Sequence, residues 1–198
     1  MKFNSLFIVL DGGDGAGTTT HSHLLKGFLE NKGFKVHLTQ EPSRNKIGIL
    51  LRAFLRNKDI PATTDALLFA ADRDLHYHNE IKTKLDEGYI VISDRFIESS
   101  IVYQSVQSSK ISIDWIKQIN KFVGKPDLTI ILDIDPKIAL ARKTDKGLEK
   151  FEDVGFLNKV RNLYLNRAEQ EGYYIVNTDD IIELVQEQIQ KIVIDKLS

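Results

Sequence analysis

Residues 7–20 read FIVLDGGDGAGTTT. The opening FIVL is apolar and partly β-branched, the composition of a buried strand. Glycines at 12, 13, 15 and 17 end it, and Leu24, Leu25 and Phe28 then recur at helical spacing, which predicts a helix over 19–31. Strand, glycine turn and helix in that order form a cradle for phosphate. The glycines let successive N–H groups turn inward on anionic oxygens, and the helix adds the positive end of its dipole. Gly12, Gly17 and Thr19 fit the spacing GxxxxGK[ST] of such loops, so the candidate phosphate-binding residues are Gly12, Gly13, Asp14, Gly15, Ala16, Gly17, Thr18 and Thr19. Thr18 stands where the pattern has lysine. The backbone donors survive this change, and Thr19 keeps the hydroxyl that helps hold Mg²⁺. What is lost is one positive charge near the β- and γ-phosphates, where charge stabilisation does most of the catalysis.

Outward from this loop, short apolar runs at 7–10, 35–39, 89–93, 128–133 and 173–177 alternate with amphipathic stretches. Those stretches predict helices over 19–31, 47–57, 63–87, 97–107, 113–122, 136–142, 154–171 and 181–197. The alternation predicts βαβ units and a parallel sheet in a single domain spanning 1–198, with the ligand beyond the carboxyl ends of the strands. The net charge of −1 argues against a surface built to grip a nucleic-acid polymer. No apolar run approaches the ~20 residues of a membrane helix. The opening FNSLFIVL carries no basic leader, and the chain has no cysteine, so a cytoplasmic protein without disulfides or thiolate metal sites is expected.

Two strand-end carboxylates could hold Mg²⁺ through water: Asp94, closing YIVISD, and Asp133, closing LTIILD. Asp94 is preferred because Arg95 follows it, and a guanidinium fork at a strand's mouth suits an incoming phosphate. The alternative is that Asp94 is a capping carboxylate paired to Arg95. The segment ARKTDKGLEKFED, 141–153, sets Arg142, Lys143, Lys146 and Lys150 around Gly147 with poor periodicity. It reads either as a solvated charged loop or as a lid that brings cations to the transferring group. The pairs HSH and HYH lack cysteine or carboxylate companions at ligand spacing, which argues against zinc. His21 reads as a polar helix-start residue and Trp115 as core or interface packing.

Taken together, FIVLDGGDGAG, TQEP, LLFAADR, ISDRF with SSIVYQ after it, PDLTIILDIDP, and KFE before VRNLYL resemble the thymidylate kinases in order and interval almost end to end. The resemblance implies a three-layer α/β fold of the P-loop NTPase type with a five-stranded parallel sheet, assembled as a homodimer. It implies phosphorylation of dTMP by ATP with Mg²⁺, the loop 12–19 holding ATP, and Thr19 and Asp94 serving the metal. Asp14 then lies near the sugar 3′-hydroxyl. Phe69 stacks on thymine, and Arg73, one helical turn on, contacts a base carbonyl. Arg95 binds the acceptor phosphate, Ser100 reads the thymine edge, Tyr103 packs on the deoxyribose, and Gln104 completes the pair. Gly15 falls where some members carry a catalytic arginine, so the resemblance favours a lid over 142–153 whose Arg142, Lys146 and Lys150 supply the missing charge. Gln40 replaces the arginine many members carry before EP, leaving Arg44 as a second phosphate ligand. Glu152 falls in the acidic part of the lid motif with no assigned role. Two rivals stand beside this: a nucleotide-binding fold that transfers nothing, and a kinase of broader pyrimidine range.

Overall fold

The computed structural model describes residues 5–55, 59–142 and 153–198. Five strands form one sheet: β1 Leu6–Gly12, β2 Val36–Gln40, β3 Ile90–Asp94, β4 Leu128–Asp133 and β5 Tyr174–Asn177. All pairings are parallel and the order is β2-β3-β1-β4-β5, so the phosphate-loop strand lies at the centre. Every strand therefore ends on the same edge, and the loops that follow β1, β3, β4 and β5 gather there.

The period of two along a strand divides the core into two faces. In β1, Leu6, Ile8 and Leu10 join Ile90 and Ile92 of β3 and Leu128, Ile130 and Leu132 of β4 in one cluster. Helices α1 (Thr18–Asn31) and α9 (Ile182–Leu197) close it with Leu25, Leu29, Val185, Ile189 and Val193. Phe7 and Val9 face the other way, against Val91, Ile81 and Phe96. That side is covered by α3 (Ala62–His76), α5 (Ile97–Gln107) and α8 (Val154–Glu171), where Val102, Tyr103, Ile131, Val160 and Tyr164 pack together. This is the expected three-layer architecture. The remaining helices are α2 (Lys46–Phe54), α4 (Lys82–Asp86), α6 (Ile113–Ile119) and α7 (Pro136–Arg142).

The continuous helix expected over 63–87 is interrupted by a π turn, Tyr77–Ile81, between α3 and α4. One extra residue advances the helix by about 100°. Arg73 and His76 thus face the loop after β2 while Ile81 and Leu85 reach the Phe7 and Val91 face. Helix α6 stops at Ile119 rather than continuing to 122, because the Asn120 side chain turns back to donate to the Ile116 carbonyl at 2.8 Å. Phe122 is left exposed, and Trp115 packs beside Ala66, Ile101 and Ile116. Residues 143–152, with Lys146, Lys150 and nearly all of the expected lid, lie outside the described residues.

The loop 41–45 connects β2 to α2 and is fixed at several points. Ser43 donates its N–H and hydroxyl to the two oxygens of Asp72, at 2.7 and 2.6 Å. Asn45 caps α2 by accepting from the N–H groups of Ile47 and Gly48. A Cβ at Gly48 would stand 2.0 Å from the Ser43 carbonyl oxygen, a backbone atom that cannot swing aside. Gly48→Ala is therefore expected to cost about 1–3 kcal/mol of stability, measured as a lowered midpoint in thermal and denaturant unfolding.

Candidate active site

The phosphate loop departs from the end of β1. Gly12 lies so close to β4 that a Cβ there would meet the Leu132 carbonyl oxygen at 2.4 Å. Gly17, with φ of 88°, caps α1 in the left-handed region that glycine adopts without cost. No side chain caps the start of α1 and its first turn holds no acid, so its amide donors face outward for an anion. They open on a cavity of about 660 Å³ lined by 15–21 on one side and by Arg95, Arg142, Thr178 and 180–183 on the others. Thr18 is buried. Arg142 donates to the Thr178 carbonyl at 3.0 Å, so a guanidinium borders the cavity that the missing lysine would have entered. His21, read from sequence as a polar helix-start residue, is instead buried, its Nδ1 2.8 Å from Gln186 Oε1 on α9.

Arg95 follows β3 with φ of 71°, a left-handed conformation that costs a non-glycine residue about 1–3 kcal/mol. Its N–H donates to the Leu10 carbonyl at 2.9 Å. The guanidinium donates to the Gly12 carbonyl at 2.7 Å, Ser99 Oγ at 2.9 Å and Asp14 Oδ1 at 2.7 Å, and lies 5.7 Å from the centre of the Tyr103 ring. Its carboxylate partners are Asp14 and, at 3.7 Å, Asp11, not the adjacent Asp94. Asp94 turns the other way: Oδ2 accepts from Thr19 Oγ1 at 2.5 Å, while Oδ1 is buried with no partner among the described residues. Asp133 is committed elsewhere, gripped by Arg161 through two bonds of 2.7 and 2.8 Å.

A second cavity of about 180 Å³ lies on the far side of Arg95, bounded also by Asp14, Phe69, Arg73, Ser100, Tyr103 and Gln104. Phe69 and Arg73 face it together from α3. Arg73 is buried, and its guanidinium is shared among Glu41 at 2.8 Å, Asn120 Oδ1 at 2.7 Å and Ser100 Oγ at 3.0 Å. The Tyr103 hydroxyl accepts the Asp14 N–H at 3.0 Å. Burial pushes this phenol well above its ordinary value, so it remains a neutral hydroxyl. Gln104 Oε1 is buried with no partner among the described residues. Arg44 is not in this group. It is exposed and borders a third cavity of about 230 Å³ with Thr19, Asp94, His37 and Glu80.

Two cavities that meet at one arginine, with an anion cradle in one and an aromatic wall bearing the Gln104 amide in the other, suit a donor phosphate chain and an acceptor base. Comparison with known proteins agrees. The sequence model of the family described as thymidylate kinase matches residues 10–189. The chain belongs to the thymidylate kinase family. A protein described as probable thymidylate kinase from Pyrobaculum aerophilum is 45% identical over 193 residues, 94% of this chain and 97% of its own. One from Pyrobaculum calidifontis is 48% identical over 174 residues, 87% of each chain. One from Staphylothermus marinus is 41% identical over 199 residues, 98% of this chain and 97% of its own.

The oxygens of Thr19 and Asp94 have the chemistry to fit a magnesium ion. Mg²⁺ takes hard oxygen ligands, keeps several waters, and commonly uses one or two carboxylates beside substrate phosphates. A buried carboxylate oxygen with no donor among the described residues, next to a hydroxyl at the phosphate loop, matches those preferences. Sequence reasoning gave Asp11 no role. Its buried carboxylate accepts from the N–H groups of Gly12 at 2.9 Å and of Phe96 and Ser99 at 3.1 Å. The hydroxyls of Ser99 and Tyr164 add bonds of 2.6 and 2.8 Å. Burial pushes the carboxyl above its ordinary value, and Arg95 with the hydroxyl donors opposes this. The available signal was an acid joined directly to an apolar strand, which must find donors once buried. Glu41 was equally legible only as part of TQEP. Asp11→Ala strands several buried donors and is expected to cost about 3 kcal/mol or more, measured by denaturant unfolding. Unchanged stability in that variant would show the carboxylate to be dispensable.

Proposed function

We propose that the chain transfers the terminal phosphoryl group of ATP to the phosphate of dTMP, with Mg²⁺. The observation that carries this reading is the position of Arg95 between the two cavities, tied to the Gly12 carbonyl of the phosphate loop and to Asp14. The loop amides from 12 to 19 hold the donor phosphates. Thr19 and Asp94 would hold Mg²⁺, which when bound neutralises charge on those phosphates. Phe69, Arg73, Ser100, Tyr103 and Gln104 receive the deoxynucleoside, and Arg95 presents the acceptor phosphate to the donor. Asp14 braces Arg95 beside the sugar. An acceptor oxygen attacks the γ-phosphorus in line. The new O–P bond forms as the bond to the β,γ-bridging oxygen breaks, and the electron pair leaves with ADP. No protein nucleophile is required, so positioning and charge do the work.

The charge absent at Thr18 is supplied by Arg95, Arg142 and the lid 142–153, with Lys146 and Lys150 closing over the donor. Arg44, at the cavity shared by Thr19 and Asp94, is a second contact for the acceptor phosphate. A single domain, a homodimer and a cytoplasmic setting complete the reading. Exposed Leu67 and Leu75 on α3 and Ile49 and Leu50 on α2 favour a partner surface. Among the described residues no helix is long and apolar enough to cross a membrane.

ADP release coupled to a visible reporter, measured over dTMP, dUMP, dCMP and UMP, tests the activity. Turnover is expected with dTMP first. No turnover with any monophosphate, from folded protein with Mg-ATP, overturns it in favour of a nucleotide-binding protein lacking the loop lysine for good reason. Comparable rates with dUMP would widen the acceptor class. For the lid, neutralising Lys146, Lys150 or Arg142 is expected to lower kcat roughly 10²-fold with little change in acceptor affinity. Full kcat in every such variant would place the compensating charge elsewhere.

A further inference from the structure

From Arg73 and Glu41, which border the acceptor cavity, a file of charges runs back through the fold to the surface. Arg73 gives Nε and a terminal nitrogen to Glu41 Oε2, both at 2.8 Å. The other oxygen of Glu41 lies 3.3 Å from Nδ1 of His76, whose side chain is fully buried. His76 Nε2 lies 2.7 Å from Thr39 Oγ1 and 3.7 Å from Glu80 Oε2. Glu80 reaches the surface, with its second oxygen 2.8 Å from His37 Nε2. From cavity to surface the groups run guanidinium, carboxylate, imidazole, carboxylate, imidazole. Glu80 lies four residues beyond His76, on the same side of the helical stretch.

At 3.7 Å the contact of Nε2 with Glu80 is one of charge rather than a hydrogen bond, and an imidazolium, donating from Nδ1 to Glu41 and from Nε2 to the Thr39 hydroxyl, sets its charge between the two carboxylates. We propose that His76, as an imidazolium between Glu41 and Glu80, is a positioning residue for the acceptor: it fixes Glu41, Glu41 fixes Arg73, and Arg73 thereby keeps the orientation that meets the base. The inference rests on the acceptor reading given above for the cavity bounded by Arg73.

Burial opposes a charge on His76, but hydrogen bonds and attraction from Glu41 and Glu80 more than offset it and hold the ring's pKa at about 9. His37 first, and His76 second, hold the Glu80 carboxyl well below its ordinary value. The charged groups facing the ring are Glu41 from the loop after β2, Glu80 from the π turn and Arg73 from its own helix. From β2, Thr39 is neutral and His37 acts through Glu80. Asp94 of β3 is turned to Thr19 and Asp72 to Ser43. The pKa is raised on folding, so the stabilisation is full below the ordinary value of 6.5 and is lost as pH rises through about 9. Acceptor affinity should fall over the same alkaline interval.

The test uses the full chain, wild type against Glu80→Gln and His76→Gln, from about pH 6 to about pH 10. Calorimetry gives the Kd for dTMP, and ¹⁵N spectra follow the His76 ring and the Arg73 Nε–H without ligand. Thymine itself loses a proton in alkali, so the differences between variants decide. Glu80→Gln, which alters a half-exposed carboxylate outside the acceptor cavity, should move the His76 midpoint and the Arg73 signal change together to lower pH. The weakening of dTMP binding should follow them. His76→Gln, if it folds, should bind dTMP roughly tenfold more weakly at neutral pH. An Arg73 signal indifferent to the His76 titration, or a Glu80→Gln midpoint and Kd profile identical to wild type, overturns the proposal. Wild-type protein that binds no dTMP overturns the acceptor reading instead, and the spectra still judge the file of charges.

Discussion

Placing the Asp11 carboxylate at the end of the central strand takes it out of water, a cost of several kcal/mol that only close donors can offset. The donors come from three directions: the loop that begins at Gly12, the start of α5 at Phe96 and Ser99, and Tyr164 on α8. One buried charge therefore binds the anion cradle to the turn that carries Arg95 and to the helix layer beneath the acceptor cavity. The strain in the Arg95 backbone is tolerable because both flanks of that turn are anchored, by the Leu10 carbonyl before it and the Asp11 oxygens after it. If those anchors slackened, the backbone would relax and the guanidinium would swing away from the seam between the two cavities.

The same logic of shared anchors governs the end of β3. Asp94 and Arg95 are neighbours in sequence yet diverge, one to Thr19 and the other to Gly12 and Asp14. An ion pair between them would have cancelled both. Their divergence keeps the two charges from cancelling, and uncancelled charge of both signs is what phosphoryl transfer draws on.

Much of the layer structure was legible because each strand is an apolar run bounded by turn residues, and a parallel sheet buried on both faces requires such runs. The π turn was not legible: HYHNEI carries helical periodicity through it, and the extra residue is selected by packing of Ile81 and Tyr77 rather than by local preference. Phe122 misled for a similar reason, since its spacing fits α6 while the Asn120 side chain ends that helix. At the site, motif spacing singled out the phosphate loop, Asp94 and Arg95, and the family resemblance added Phe69 and Arg73. Neither could assign Asp11, Glu41 or His76. Their partners lie 85, 32 and 35 residues away in sequence, and no local pattern encodes pairs at that range.

The uncapped start of α1 has a thermodynamic corollary. Those amides point at solvent when the cradle is vacant and are satisfied most fully by a bound polyanion. Ligand occupancy and cohesion of the central layer thus draw on one set of N–H groups, so free nucleotide in the surroundings stiffens the protein by mass action. A fold of this kind is at its softest when idle, and its durability in a cell is tied to the energy charge around it.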